Sequence, residues 1–231
     1  MKKILTFAVA ALAVVSMTSC GGSRAMKNDV DTLSYALGTD FGMSLQRLVN
    51  SLEEELDMDL FYQGVEDVLN EDVAIEQQEA FAFLRNYMNI VNPQKALANS
   101  NEYLAEIEKQ EGVQKTESGL LYQIVREGNL EKRATLDTDQ VRVMYEGKTR
   151  QGKVFDSSYE RGDTAKFALN QVIKGWTEGM KLVGEGGEIK LWIPANLAYG
   201  ARGTRDGAIG PNNAISFTVE VVEVIPTPAE K

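Results

Sequence analysis

The sequence predicts an α+β protein: an all-helical N-terminal dimerisation part, then a C-terminal twisted antiparallel sheet wrapped on one short helix. Three observations predict it. Apolar residues recur three or four apart from Leu33 to Ile107, the period of a helix with one greasy face. From Leu120 to Val221 the spacing falls to two, the period of half-buried strands. Within that second region Val172-Ile173-Lys174-Gly175-Trp176 leads into Trp176, Met180 and Val183 at helical spacing. Tyr145, Phe155, Phe167, Tyr199 and Phe217 flank this stretch and can stand around the indole. Composition alone makes such rings ordinary packing, because large apolar side chains are most often core.

The 231 residues divide into a leader at 1–19, a flexible tether at 20–28, a helical domain at 29–115 and a sheet domain at 116–231. The net charge is −10, which argues against a nucleic-acid partner, since such proteins carry a basic face. There is one cysteine, Cys20, and no histidine. A Ser-His-Asp triad, a Cys-His pair, a His-ligated metal and a disulfide within the chain are therefore excluded. No cofactor or metal is expected, so any chemistry falls to carboxylates, hydroxyls, backbone groups or the shape of a pocket.

The leader begins Met1-Lys2-Lys3 and continues with an apolar run from Ile4 to Val15, too short for a bilayer core of ~30 Å. Met17-Thr18-Ser19-Cys20 follows. The pattern resembles a bacterial lipoprotein signal, with Cys20 as the lipidated first residue of the mature chain. Its alternative is an ordinary secretory signal with an incidental cysteine. Lipidation would hold the protein at a membrane, each buried CH₂ contributing about 0.8 kcal/mol. Gly21-Gly22-Ser23 reads as a flexible spacer.

Asp31 and Thr32 are candidate caps for a first helix carrying Leu33, Leu37, Phe41, Leu45, Leu48 and Leu52. A second helix is expected over Leu60 to Leu69, and a third from near Ile75 with Phe81, Leu84, Met88 and Val91 on its apolar side. Pro93 is expected to kink or end it, because proline lacks the amide donor and clashes with the preceding turn. Helix resumes over Gln94 to Gln110, with Tyr103, Leu104 and Ile107 apolar. These helices make a thin core by themselves, which favours pairing with a second copy over a self-contained bundle. The run Glu53-Glu54-Glu55 reads as a solvated face.

Strands are expected over Leu120 to Val125, over Val141, Val143 and Tyr145 up to a break at Gly147, and over Phe167 and Leu169. Two more cover Ile189, Leu191 and Ile193, stopped by Pro194, and Ile215, Phe217, Val219 and Val221. About five strands with one short helix give the sheet-on-helix domain.

Val143-Met144-Tyr145-Glu146-Gly147, Phe155-Asp156-Ser157-Ser158, Val172-Ile173-Lys174-Gly175-Trp176, Ile193-Pro194, Leu197-Ala198-Tyr199-Gly200, Gly210-Pro211-Asn212 and Ile215 to Val221 occur in this order. Together they resemble an FK506-binding-protein (FKBP) type peptidyl-prolyl cis-trans isomerase over about Thr116 to Ile225. Leu33-Ser34-Tyr35-Ala36-Leu37-Gly38 and Gly64-Val65-Glu66-Asp67 resemble the dimerising domain of the macrophage-infectivity-potentiator and FkpA group, which are exported, V-shaped homodimers. The unbroken connecting helix of that group is where Pro93 departs from the pattern.

The resemblance implies an isomerase of X-Pro bonds acting on proline-containing unfolded or nascent exported polypeptides. It implies a homodimer, lipid-anchored in the envelope of a Gram-negative-type bacterium at the outer membrane facing the periplasm, and inhibition by FK506- or rapamycin-type macrolides. Trp176 would floor the proline pocket, with Tyr145, Phe155, Phe167, Val172, Ile173 and Phe217 as walls. The Ile173 amide and the Tyr199 hydroxyl would hold substrate carbonyls, and Ile209 would sit over the mouth. Asp156 would orient side chains through Tyr145 and through Arg161 or Arg202 rather than move a proton. Ala165 and Ala208 stand where larger side chains are usual in the family, and Arg202 to Gly207 lacks a histidine often found there, which bears on macrolide affinity. A dimeric chaperone that holds unfolded chains, with isomerisation secondary, and a structural dimer that keeps only the scaffold are the competing readings.

Overall fold

The structure is a computed structural model that describes residues 25–228. Cys20, the leader and most of the tether lie outside the described residues.

Four helices come first: α1 (Asp29–Ser51), α2 (Met58–Asn70), α3 (Gln77–Asn86) and α4 (Asn92–Glu108). By compactness the chain divides into residues 1–42, which hold most of α1, and residues 43–231. Helix α2 starts on Asp57, whose carboxylate accepts from the Leu60 amide at 3.0 Å, satisfying one of the free amides of the first turn. It ends at Glu71 in a left-handed conformation. None of α1, α2 or α3 contains a buried residue.

Pro93 does not break the helical path. Tyr87–Val91 forms a π-helical turn between α3 and α4, and Pro93 occupies the first turn of α4. The wider turn passes the Asn92 amide back to the Tyr87 carbonyl. One extra residue in the turn absorbs the missing proline donor that would otherwise stop the helix. Helix α4 buries Asn92, Ala96, Ser100 and Ile107. Its Tyr103 hydroxyl lies beside Ser216 and Trp192, with burial pushing the phenol above its ordinary pKa.

The strands are β1 (Gln114–Lys115), β2 (Leu121–Arg126), β3 (Asn129–Arg133), β4 (Gln140–Thr149), β5 (Val154–Ser157), β6 (Ala165–Ala168), β7 (Gly184–Glu185), β8 (Glu188–Ile193) and β9 (Ile215–Ile225). Two short helices interrupt them, α5 (Ser158–Arg161) and α6 (Lys174–Gly179). The main sheet runs β1-β2-β8-β9-β4-β5, with β6 also on β4, and its pairs are antiparallel. Strands β3 and β7 pair separately. The short β1, β3, β5 and β7 carry little alternation, so their sequences gave no strand signal.

Burial alternates along β4, β8 and β9. It turns Val141, Val143 and Tyr145, then Ile189, Leu191 and Ile193, then Ile215, Phe217, Val219 and Val221 into one core with Trp176, Met180 and Val183. Gly147 does not end β4, which continues to Thr149. A Cβ at Gly147 would lie 2.5 Å from Phe217 and 2.9 Å from Phe155, so this glycine makes room for two rings. Helix α6 approaches the sheet through Gly175 and Gly179, whose added Cβ atoms would meet Ile193 at 2.5 Å and Leu191 at 2.7 Å. Two glycines one turn apart thus bring the indole down onto β8 and β9.

Candidate active site

Tyr145 pairs with Val219 and Gly147 with Phe217 across β4 and β9. That register sets the Tyr145 and Phe217 rings with centroids 6.2 Å apart on the inner face. Trp176 then meets three rings edge to face: Phe217 at 5.1 Å, Tyr145 at 5.2 Å and Phe167 at 5.5 Å. Such T-shaped pairs put the positive edge of one ring on the negative face of another, each contributing about 1 kcal/mol beyond burial. The rings line a cavity of about 260 Å³ together with Asp156, Gln171, Val172, Ile173 and Tyr199.

The indole is 4 % exposed, and its Nε1 is buried with no protein acceptor among the described residues. An unpaired buried donor is uncommon and costs stability. Ile173 caps α6 in an extended conformation, and its carbonyl accepts from the Trp176 and Thr177 amides at 2.9 and 3.1 Å. Its own N–H has no acceptor among the described residues, and Ile173 is one of the residues lining the cavity. Thr177 pins the same turn by donating its hydroxyl to the Leu169 carbonyl at 2.6 Å.

The polar side of the cavity is a closed triangle. The Tyr145 hydroxyl donates to Asp156 at 2.6 Å. Arg161 donates to the other Asp156 oxygen at 2.7 Å and to the Tyr145 hydroxyl at 2.9 Å. The sequence builds this with a tight turn. Ser157 caps α5 by accepting from the Glu160 amide, and the buried Ser158 hydroxyl accepts from the Tyr145 amide at 2.8 Å. One helical turn then returns Arg161 to Asp156. The Asp156 partner is therefore Arg161, and no bond to Arg202 is present among the described residues. Burial, then the bond to Asp156, pushes the Tyr145 phenol up. Burial, then the charges of Asp156 and Asp206, pushes the Tyr199 phenol up. Both hydroxyls stay protonated through neutral pH. The Tyr199 hydroxyl has no hydrogen-bond partner among the described residues.

One expected wall residue, Phe155, and the residue expected at the mouth, Ile209, do not line the cavity. Phe155 lies behind Phe217, edge to face at 5.5 Å, and supports that ring without lining the cavity. Ile209 is not over the mouth. It is 2 % exposed, packed into the core, and borders a small separate cavity with Leu52, Glu53 and Ile215. The loop folds inward because Thr204 donates its amide to the Ile209 carbonyl at 2.8 Å and accepts the Ile209 amide at 2.9 Å. Gln171 lines the cavity without having been expected there. A glutamine beside two β-branched residues carries no sequence signal of its own.

A wider groove of about 600 Å³ adjoins through Val172 and is lined by charged residues such as Lys174, Glu178 and Lys181. It holds no ring, so of these two cavities the smaller one is the aromatic cleft. Among the described residues no group of three or more His, Cys, Asp or Glu is gathered to hold a metal ion.

Comparison with known proteins agrees with this geometry. The family model for FKBP-type peptidyl-prolyl cis-trans isomerase matches residues 131–222, and the model for the domain amino terminal to that isomerase matches residues 30–124. The chain is 37 % identical over 240 residues to FKBP-type peptidyl-prolyl cis-trans isomerase FkpA of Escherichia coli K12, covering 97 % of this chain and 86 % of that one. It is 38 % identical over 242 residues to a probable FKBP-type peptidyl-prolyl cis-trans isomerase of Haemophilus influenzae, covering 98 % of each. The crystal structure of FkpA from Escherichia coli superposes with a TM-score of 0.55 at 36 % identity, over 88 % of this chain and all of that one. With a helical domain before an antiparallel sheet domain and an aromatic cleft closed by Trp176, the chain belongs to the FKBP-type peptidyl-prolyl cis-trans isomerases.

Proposed function

We propose that rotation about the X-Pro bond takes place in the Trp176 cleft without covalent or acid-base chemistry. An X-Pro bond turns over a barrier of about 20 kcal/mol and takes tens of seconds unaided. Catalysis requires binding the twisted amide better than either planar form. The twisted amide has lost resonance and is less polar along C–N, so a dry ring-lined slot favours it over water. Trp176 lies under the proline ring, and Tyr145, Phe167, Val172 and Phe217 close the sides. The Ile173 amide and the Tyr199 hydroxyl hold substrate carbonyls on either side of the rotating bond. Asp156 and Arg161 keep Tyr145 in place. The observation that carries this reading is the pair of unpartnered donors, Ile173 N–H and Tyr199 hydroxyl, at an aromatic cavity whose only carboxylate is already bonded twice. A proline-limited peptide assay tests it. Tyr199→Phe lowers kcat/KM about fivefold, the effect of one hydrogen bond, whereas an unchanged rate removes Tyr199 from the site.

The protein acts as a homodimer through α1 to α3. Leu33, Leu37 and Leu84 are 59 %, 64 % and 51 % exposed in one copy, and an amphipathic helix whose apolar face is open needs a partner. The leader pattern supports lipidation at Cys20 and a place in the envelope, at the outer membrane facing the periplasm, where exported proline-containing chains are the substrates. Among the described residues no helix is long and apolar enough to cross a membrane. The cleft is also the surface that a FK506- or rapamycin-type macrolide would fill. Mass measurement of the mature N-terminus tests the anchor, and an unmodified Cys20 would remove it.

A further inference from the structure

In the acidic run after α1, Glu54 and Glu55 are exposed as the sequence indicates, but Glu53 is not. The Glu53 side chain is 2 % exposed and pairs with Arg150, itself 16 % exposed, in the β4–β5 turn. Asn99 of α4 donates to one Glu53 oxygen at 2.8 Å, and Asn213 of the loop before β9 donates to the other at 3.1 Å. A buried carboxylate is tolerated only when its lone pairs are filled in this way. Glu53 therefore joins four chain segments at one point.

The same joint gathers other buried polar groups. Asn92, 1 % exposed, donates to the Ser51 carbonyl and accepts the Glu53 amide, both at 2.8 Å. Ser100, 2 % exposed, donates to the Asn212 carbonyl and accepts the Ala214 amide, both at 2.9 Å. Asn212, in the left-handed conformation with φ 56°, donates its side chain to the Pro93 carbonyl at 3.0 Å. Its backbone amide reaches the Gly200 carbonyl at 2.9 Å. Gly200 follows Tyr199 directly. The back of the 210–214 segment is thus held by helical-domain residues, and its front is bonded to the residue beside the Tyr199 hydroxyl donor.

We propose that Glu53 is a positioning residue for isomerisation: through Asn213 and the Asn212–Gly200 bond it sets where Tyr199 stands over the cleft. The helical domain thereby tunes the site it adjoins as well as carrying it. The inference rests on the substrate role given to Tyr199 above.

The test is a double-mutant cycle on the full chain with a proline-containing peptide, combined with amide hydrogen exchange. Glu53→Ala and, separately, Asn213→Ala each lower kcat/KM about fivefold with Tyr199 present. In a Tyr199→Phe background each lowers it less than about twofold, because coupled residues do not act additively. Amide exchange over residues 199–214 quickens in both variants, while that of β8 is unchanged. Asn213→Ala leaves the Glu53–Arg150 pair intact, so it decides the matter if Glu53→Ala fails to fold. Losses that multiply independently of Tyr199, or unchanged rates in both variants, overturn the proposal. If Tyr199→Phe alone is harmless, the substrate role of Tyr199 fails, and unchanged exchange over 199–214 then overturns the positioning by itself.

Discussion

The sheet region and the first three helices spend the same kind of residue in opposite ways. Around α6 the sheet buries Leu120, Val141, Leu169, Met180, Ile189, Leu191 and Ile215 completely or nearly so. Helices α1, α2 and α3 have equally regular apolar faces and bury no residue in one copy. The sheet domain can close its core alone because two layers face each other across it. A helix alone has only one stripe, which needs a second surface to cover it. Substitutions in the sheet region are therefore expected to unfold the chain, and those in α1 to α3 to separate copies of it.

The largest effect is expected at the floor. Trp176→Ala removes a ring packed against three others and costs about 3–5 kcal/mol of sheet-domain stability, with peptide isomerisation lost in the folded fraction. Chemical denaturation followed by a peptide assay checks both, and an active, undiminished variant would separate the indole from the site.

Asp139 gives a smaller effect with a pH signature. Burial raises its pKa, but amides of Leu136, Thr227 and Thr135 outweigh that and hold the carboxyl below the usual range. A depressed carboxylate stabilises the fold above its unfolded pKa of about 4 and loses that contribution as pH falls through the folded value. Asp139→Ala is expected to cost about 2 kcal/mol at neutral pH, where three amides lose their acceptor. The gap to the parent should narrow below about pH 4, measured by denaturation at several pH values.

The smallest effect on the sheet is expected from the helices. Leu37→Asp together with Leu84→Asp should halve the mass seen by sedimentation while sheet melting and peptide isomerisation stay within about twofold. A parent protein that already sediments as one chain would instead leave the exposed stripes without their second copy.

This contrast also explains what the sequence made legible. Alternation along β4, β8 and β9 was readable because each residue is placed by its own strand. Trp176, Met180 and Val183 do reach one core, but α6 ends at Gly179, so Met180 caps it and Val183 lies in the turn beyond. Asp156, Ile173, Trp176 and Tyr199 could be carried from family motifs, and the fold brings all four to one cavity. The features that escaped depend on contacts distant in sequence. Gly147 looked like a strand breaker until Phe217, across β9, occupied the space above it. Pro93 looked like a helix breaker because a π turn leaves no mark in composition. Glu53 looked solvated because Arg150 and Asn213, which bury it, lie about a hundred residues or more away. Ile209 was placed by position in its loop, whereas a bond pair to Thr204 turns it inward.

The central claim is that the amide rotates with no proton transferred, and the pH profile of kcat/KM in H₂O and D₂O tests it most directly. With no histidine in the chain and both Tyr145 and Tyr199 held above their usual pKa, the rate should be flat from about pH 6 to 9. The solvent isotope effect should lie near one. A bell-shaped profile within that window, or a rate at least about twofold slower in D₂O, would mean that a group in the cleft acts as acid or base and would contradict the account.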